Sequence, residues 1–380
     1  MSSFGRNKVE FINTKNLQIA RENIGLEDFV VSKKLFKSKN NIVSEWEDGK
    51  SLPSWSQVAK LSKEYGISEL LLFSKNTIKK NKQIPDYRVG QGIGGDDKIN
   101  KLINIVVKRQ RWLEKEFKKE GVDKNSLQGS GKKIKTPFEL ADTIKNKLDI
   151  KLSEIKKLSG SKARRNTLNY LINKAENHGI FIGKTISYHR IEVRDMRGLF
   201  VSNDYCPFII LNRRDAVSAQ IFSLIHELAH LFRKTDAISN SLDFRKTSTS
   251  IDSEEVFCNK VAAELLLPKD EFQGTYYSRS DIDNFSDIYK VSKLSIFYRL
   301  KELNKISKNE VKELEKEIIE ETRRNIEQKN KKKSTGGDYN NNMKDSNGNL
   351  LNNYISNHYS DNKIGYVEAS NILNCSVEKI

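Results

Sequence analysis

The sequence predicts an α+β chain: mostly helical, with a small mixed or antiparallel sheet packed on one apolar helix and an all-α module ahead of it. Three observations carry that expectation. Apolar residues recur at helical spacing over most of the chain. Three short β-rich runs are confined to residues 180–212. An apolar helical stretch, Val217–Phe232, follows them directly, the order of an α+β unit.

Taken in order, Asn16–Ile24, Leu26–Leu35, Asn40–Glu47, Ser54–Tyr65 and Ser68–Phe73 read as short helices separated by Gly, Pro or polar turns, a module over residues 1–75. Residues 76–100 read as a linker, basic and then Gly-rich. A basic helical region, 101–178, holds Leu102–Glu120, Pro137–Leu148 and Ala163–His178; Thr136 caps the second, and Pro137 stands at its first position. Ile180–Ile186, Gly198–Ser202 and Phe208–Asn212 read as strands, the last two a hairpin across NDYCP. Helices Val217–Phe232 and Ser253–Leu267 follow, the second stopped by Pro268, and then a helix pair, Asp281–Tyr289 and Ser292–Leu303. These elements make a core over 179–310. Residues 311–345 read as a charged helix and a flexible low-complexity linker, and 346–380 as a small helical segment.

Composition narrows the function classes. With 380 residues, 37% hydrophobic and 31% charged, the chain is long enough for more than one domain and is not fibrous. No apolar run reaches the ~18 residues of a membrane helix. Three cysteines build no disulfide framework, and the start has no apolar signal core, so a cytoplasmic location without membrane association is expected. Lys plus Arg exceeds Asp plus Glu by 67 − 50 = +17, and the excess lies wholly in residues 1–200, with 41 basic against 23 acidic side chains. Such one-sided charge suits a polyanion or a solvated lysine-rich surface.

The chemistry lies in His226-Glu227-Leu228-Ala229-His230. Residues four apart on a helix share one face, with Cβ atoms ~5–6 Å apart. Two imidazoles can therefore hold one ion, with Glu227 beside the open coordination position. That is the arrangement of a zinc peptidase: two nitrogens on Zn²⁺ and a carboxylate that takes a proton from water. A third ligand is needed downstream. In Ser253–Leu267, Glu255 shares a buried-looking face with Cys258, Asn259 and Ala262; Glu254 is one step off, and Glu264 points the opposite way. Glu255 leads, with Glu254, Glu264 and Cys258 as alternatives, and Asp252-x-x-Glu255 also fits a capping box. Asn259, one turn on, is placed to hydrogen-bond a ligand. Tyr276, Tyr277 and His189 are candidates for stabilising an oxyanion. Gly198–Ser202 or Phe208–Asn212 would offer a sheet edge for an extended peptide.

From Gly198 to Pro268 the sequence resembles the ImmA/IrrE family of zinc metallopeptidases: Gly198 and Phe200, then Pro207-x-Ile209-x-x-Asn212, then Phe222 ahead of HELAH, then Glu255-x-x-Cys258-Asn259-x-x-Ala262-Ala263 up to Pro268. The resemblance implies zinc on His226, His230 and Glu255, with Glu227 as general base. It also implies a helix-turn-helix repressor as the protein substrate. Trp46-Glu47-Asp48-Gly49-Lys50-x-x-Pro53 resembles the end of a phage-repressor-type (Xre-like) helix-turn-helix, which implies DNA contact through Asn40, Asn41 and Ser44. The rival expectation is a DNA-binding regulator whose metal is sensory and cuts nothing. Two glycine clusters are not nucleotide sites. Gly90-x-Gly92-x-Gly94 follows no strand, and Gly129-Ser130-Gly131-Lys132-Lys133 lacks the first Gly and the Ser/Thr of a P-loop.

Overall fold

The computed structural model describes residues 7–23, 26–65, 67, 69–78, 96–185, 191–235, 237–239, 253–331 and 339–373. Two compact units divide the chain, Met1–Arg109 and Gln110–Ile380.

The first unit carries α1 (Thr14–Glu22), α2 (Asp28–Phe36), α3 (Ile42–Glu47), α4 (Trp55–Tyr65) and α5 (Glu69–Phe73). Leu17, Val31, Val43, Trp46, Val58, Leu61 and Leu72 close its core. Two polar devices hold the helices in place. The buried Asn16 amide donates to the carbonyls of Leu71 and Ser74, tying α1 to the end of α5. Arg21 pairs with Glu47 at 2.7 Å, tying α1 to α3. The third helix starts at Ile42 rather than the expected Asn40 because Asn41 is its cap, its side-chain oxygen accepting from the Ser44 N–H. The next helix, α6 (Asp96–Glu120), begins inside the stretch expected as linker; residues 79–95, with the Gly90–Gly95 cluster, lie outside the described residues.

In the second unit, α7 (Pro137–Lys147) starts on the Thr136 cap as expected. After it come α8 (Leu152–Lys157), absent from the expectation, and α9 (Ala163–Glu176). Strands β1 (Phe181–Lys184), β2 (Gly198–Val201) and β3 (Phe208–Leu211) match the three β-rich runs. The helix α10 (Val217–Arg233) leads to a fourth strand, β4 (Ala237–Ser239), which its three residues made too short to read. The sheet order is β1-β3-β2-β4. The β2–β3 hairpin is antiparallel with Gly198 opposite Leu211, β1 runs parallel to β3, and β4 antiparallel to β2. The sheet is thus mixed, as expected.

One expectation is corrected here. β3 lies between β1 and β2, and β2 between β3 and β4, so neither Phe208–Asn212 nor Gly198–Ser202 is a free edge for a peptide. The outer strands are β1 and β4.

Beyond the sheet run α11 (Ser253–Leu266), α12 (Arg279–Tyr289), α13 (Lys293–Glu302) and α14 (Val311–Lys331). The expected low-complexity linker is helical in its second part: YNNNMKDSN forms α15 (Tyr339–Asn347), followed by α16 (Asn349–Ser360) and α17 (Tyr366–Leu373). Composition hid α15 because tertiary contacts make it. Met343 is fully buried, and Asp345 bridges Lys184 at 2.6 Å and Arg213 at 2.7 Å. The Phe181 and Thr185 N–H groups donate toward the β3 side, so the Ile182 carbonyl between them faces outward. Gly348, at φ +82°, lies against that carbonyl, where a Cβ would come within 1.9 Å of it. The α15–α16 corner therefore covers the outer edge of β1.

Candidate metal centre

The helix α10 is buried on every side. Ile221, Phe222, Leu224, Ile225, Leu228, Leu231 and Phe232 are 0–1% exposed, and α7, α9, α11, β2 and β3 pack around them. Its C-terminus needs partners for the last carbonyls. Lys234 adopts a left-handed conformation (φ 57°) and returns its N–H to His230 and Leu231. The Gly129–Gly131 loop supplies the rest, with Gly129 N–H on the Leu231 carbonyl at 3.0 Å and Gly131 N–H on that of Phe232 at 2.8 Å. A Cβ on Gly131 would meet Leu140 Cδ1 at 2.5 Å and the Phe232 carbonyl oxygen at 3.3 Å, so a larger residue here would have to displace the Leu140 side chain. The cluster that mimics a P-loop is a clamp on the end of α10.

On this helix His226 and His230 are each 1% exposed and Glu227 is 0% exposed. Their neighbour Glu255 stands on the first turn of α11. His226 Nε2 lies 3.0 Å from His230 Nε2, 3.2 Å from one Glu255 oxygen, and the other oxygen is 3.1 Å from His230 Nε2. Ligands at ~2.0–2.2 Å in a tetrahedron stand about 3.3–3.5 Å apart, so this triangle fits a single metal ion. The three form the only metal-capable group of this kind among the described residues. Burial pushes the Glu255 carboxyl up, but hydrogen bonds and charge from His226 and His230 outweigh it and hold the group far below the usual range. It stays a carboxylate, as a ligand must. Glu255 keeps 21% of its side-chain surface, so the centre opens on that side.

The alternatives fall elsewhere. Glu254 makes a two-point pair with Arg233 at 2.7 and 3.0 Å. Glu264 pairs with Arg299, whose Nε also donates to the Leu267 carbonyl at 2.9 Å. Cys258 Sγ lies 3.7 Å from Nδ1 of His230, behind the ring, and burial pushes its thiol well up.

Asn259 does not take the supporting role expected of it. Its Oδ1 is buried without a hydrogen-bond partner among the described residues. That role falls to Thr235, whose Oγ1 lies 2.9 Å from His230 Nδ1. Nothing in residue spacing marks Thr235; the left-handed turn at Lys234 brings it back. The Glu227 carboxylate packs over Gly198 of β2, where a Cβ would stand 2.4 Å from Oε1.

Tyr276 and Tyr277 lie past the far end of α11, about 16 Å along its axis from Glu255 to Leu266. Tyr277 Oη accepts from the Gly274 N–H at 2.7 Å and its ring packs on Phe272 and Phe285, while Tyr276 is 64% exposed. The contacts of Tyr277 are thus with Gly274, Phe272 and Phe285 rather than with the cluster, and His189 lies outside the described residues. In the first unit Asn40 is exposed and Ser44 half-buried, while Asn41 Oδ1 is held by Ser44 N–H and Ser32 Oγ at 3.3 and 3.1 Å.

Residues 177–301 match the family model Peptidase_M78, described as the IrrE N-terminal-like domain. No curated protein and no solved structure matches the chain.

Proposed function

Residues 177–301 are an IrrE N-terminal-like domain of the ImmA/IrrE family, and on that premise we propose that the chain is a zinc-dependent endopeptidase. The observation that carries the reading is the triangle of His226 Nε2, His230 Nε2 and the Glu255 carboxylate, with sides of 3.0–3.2 Å. Two imidazoles and one carboxylate are the donor set of a catalytic rather than a closed structural zinc site. Bound Zn²⁺ supplies Lewis acidity to the scissile carbonyl and lowers the pKa of the attacking water. Glu227 accepts a proton from that water at a carboxylate oxygen and delivers it to the departing amide nitrogen as the C–N bond breaks. Gly198 gives the carboxylate room, and Thr235 fixes the ring of His230.

As substrate we take a helix-turn-helix repressor. The support is the first unit, where α2 is followed by a short turn and α3, as in the helix-turn-helix the sequence resembles, and where Phe29 and Val30 on α2 are 47% and 40% exposed, apolar surface that a like module could cover. DNA contact through Asn40 and Ser44 belongs to the same reading, and so does the cytoplasm. Cys206 and Cys258 are free thiols, and no described helix is long and apolar enough to cross a membrane.

The test is to incubate the zinc-loaded chain with the repressor encoded beside its gene and weigh the fragments. A clip at one site, lost with a chelator and regained with zinc, is expected. An intact repressor together with specific, zinc-dependent DNA binding would favour the non-proteolytic regulator instead.

A further inference from the structure

Beside the centre, the clamp loop and the two metal-bearing helices enclose an open groove of about 530 Å³. One wall is fixed by Arg233, which spans the groove. Its Nε and Nη2 hold Glu254, its Nη1 donates to the carbonyls of Ile134 and Lys132 at 2.7 and 3.2 Å, and its guanidinium lies 4.8 Å from the Phe257 ring centre. Arg233 and Glu254 therefore cancel in charge. The loop that Arg233 holds also contributes lysines: Lys132, Lys133 and Lys135 line the groove, all are exposed, and none is ion-paired with a carboxylate among the described residues. These three charges are carried on a rigid loop. Its backbone is pinned to α10 by hydrogen bonds at Gly129 and Gly131.

We propose that this groove is a substrate subsite that receives acidic side chains of the protein being cut. The occupant is chosen by charge and position. Three lysines without carboxylate partners among the described residues, in a groove also lined by Ile134 and Phe257, suit the carboxylates of an extended peptide whose methylenes could pack on the apolar lining. Arg233 lies three residues beyond His230, about 4.5 Å along the α10 axis, and Glu254 is the neighbour of Glu255. At ~3.4 Å per extended residue, a peptide running from the centre along these two helices would come to the groove within a few residues of the scissile bond. A duplex is the poorer fit, since the charges line a concavity of side-chain size rather than a ridge tracking phosphates. The proposal rests on the peptidase reading for what the occupant is doing there.

The experiment measures fluorescence anisotropy of a labelled glutamate-rich peptide, its glutamine twin and a short DNA duplex on the full-length Glu227→Gln chain, loaded with zinc. The glutamate peptide is expected to bind roughly tenfold or more tighter than the glutamine twin, and the advantage to shrink as salt screens it. Replacing Lys132, Lys133 and Lys135 together by Ser should erase that advantage while zinc content and helical circular dichroism stay unchanged. Equal binding of the two peptides, a preference that survives the triple substitution, or a duplex that outcompetes the peptide and depends on the same lysines would each overturn the proposal. Failure of the peptidase reading looks different: the acidic peptide binds through the lysines, supporting the subsite, yet zinc-loaded wild type cuts no peptide.

Discussion

Gly198 and Glu227 fit together as a pair: the strand residue has no side chain where the carboxylate lies, and a Cβ there would be 2.4 Å from Oε1 and 2.9 Å from Cγ. The metal-bearing helix can thus lie close on β2 with a buried acid between them. Gly198→Ala should push the carboxylate off its place without touching His226, His230 or Glu255. Zinc content should stay near one per chain, turnover should fall at least tenfold, and overpacking should cost about 1–3 kcal/mol of stability. Loss of zinc with turnover per bound zinc unchanged would contradict this pairing.

Thr235→Val removes the oxygen at His230 Nδ1 while keeping the shape. Losing such a support typically weakens metal affinity ~10–100-fold, measurable by competition with a zinc chelator of known affinity. Asn259→Ala should change affinity much less, because the buried Asn259 Oδ1 has no hydrogen-bond partner among the described residues.

Glu255→Ala should empty the site, whereas Glu254→Ala and Glu264→Ala should keep it full by elemental analysis. Glu254→Ala loses a partly exposed pair with Arg233, worth about 1 kcal/mol or less. Glu264→Ala instead leaves the buried Arg299, 5% exposed, with only Glu302 and the Leu267 carbonyl, and should cost more stability, about 1–3 kcal/mol.

Much of this centre is legible in the sequence. HELAH marks the two imidazoles and the carboxylate between them because helical spacing alone brings His226 and His230 together, and the face of α11 favours Glu255 as the third member of the cluster. Thr235 is not legible, since a single left-handed residue, Lys234, decides where it goes. The role of Gly129–Gly131 as a clamp is not legible for the same reason: it depends on the end of a helix some 100 residues away in sequence. Likewise α15 has no apolar stripe, and its helix is made by Lys184, Arg213 and β1 rather than by propensity. The pairing of β4 with β2, which removes the expected free edge, involves only three residues and leaves no pattern to read.

The attachment of α16 should depend on pH through Glu176. Burial pushes this carboxyl up to about 7, against hydrogen bonds from the Leu350 and Asn349 N–H groups at the start of α16. A folded pKa above the unfolded value means the contribution is fully present below about pH 4.5 and is lost as pH rises through about 7. Hydrogen exchange of residues 349–360, corrected for intrinsic rates, should therefore show protection falling between pH 5 and 8, by roughly 1–3 kcal/mol. Glu176→Gln should flatten that dependence; an unchanged slope would remove Glu176 as its cause.

In the first unit Asn40 and Asn41 should separate recognition from folding. Asn41→Ala removes the α3 cap and should cost about 1 kcal/mol of thermal stability. Asn40→Ala should leave stability unchanged and reduce whatever DNA affinity the chain has. Equal effects of both on stability would contradict the capping assignment.

The most direct measurement sets turnover of the repressor substrate beside zinc content in the same preparations of wild type and Glu227→Gln. The substitution keeps the side chain's size but removes the oxygen base that takes the water proton. Zinc should remain near one per chain on His226, His230 and Glu255, while cleavage falls by about 10²–10⁴. Cleavage by zinc-loaded Glu227→Gln at the wild-type rate would contradict the account.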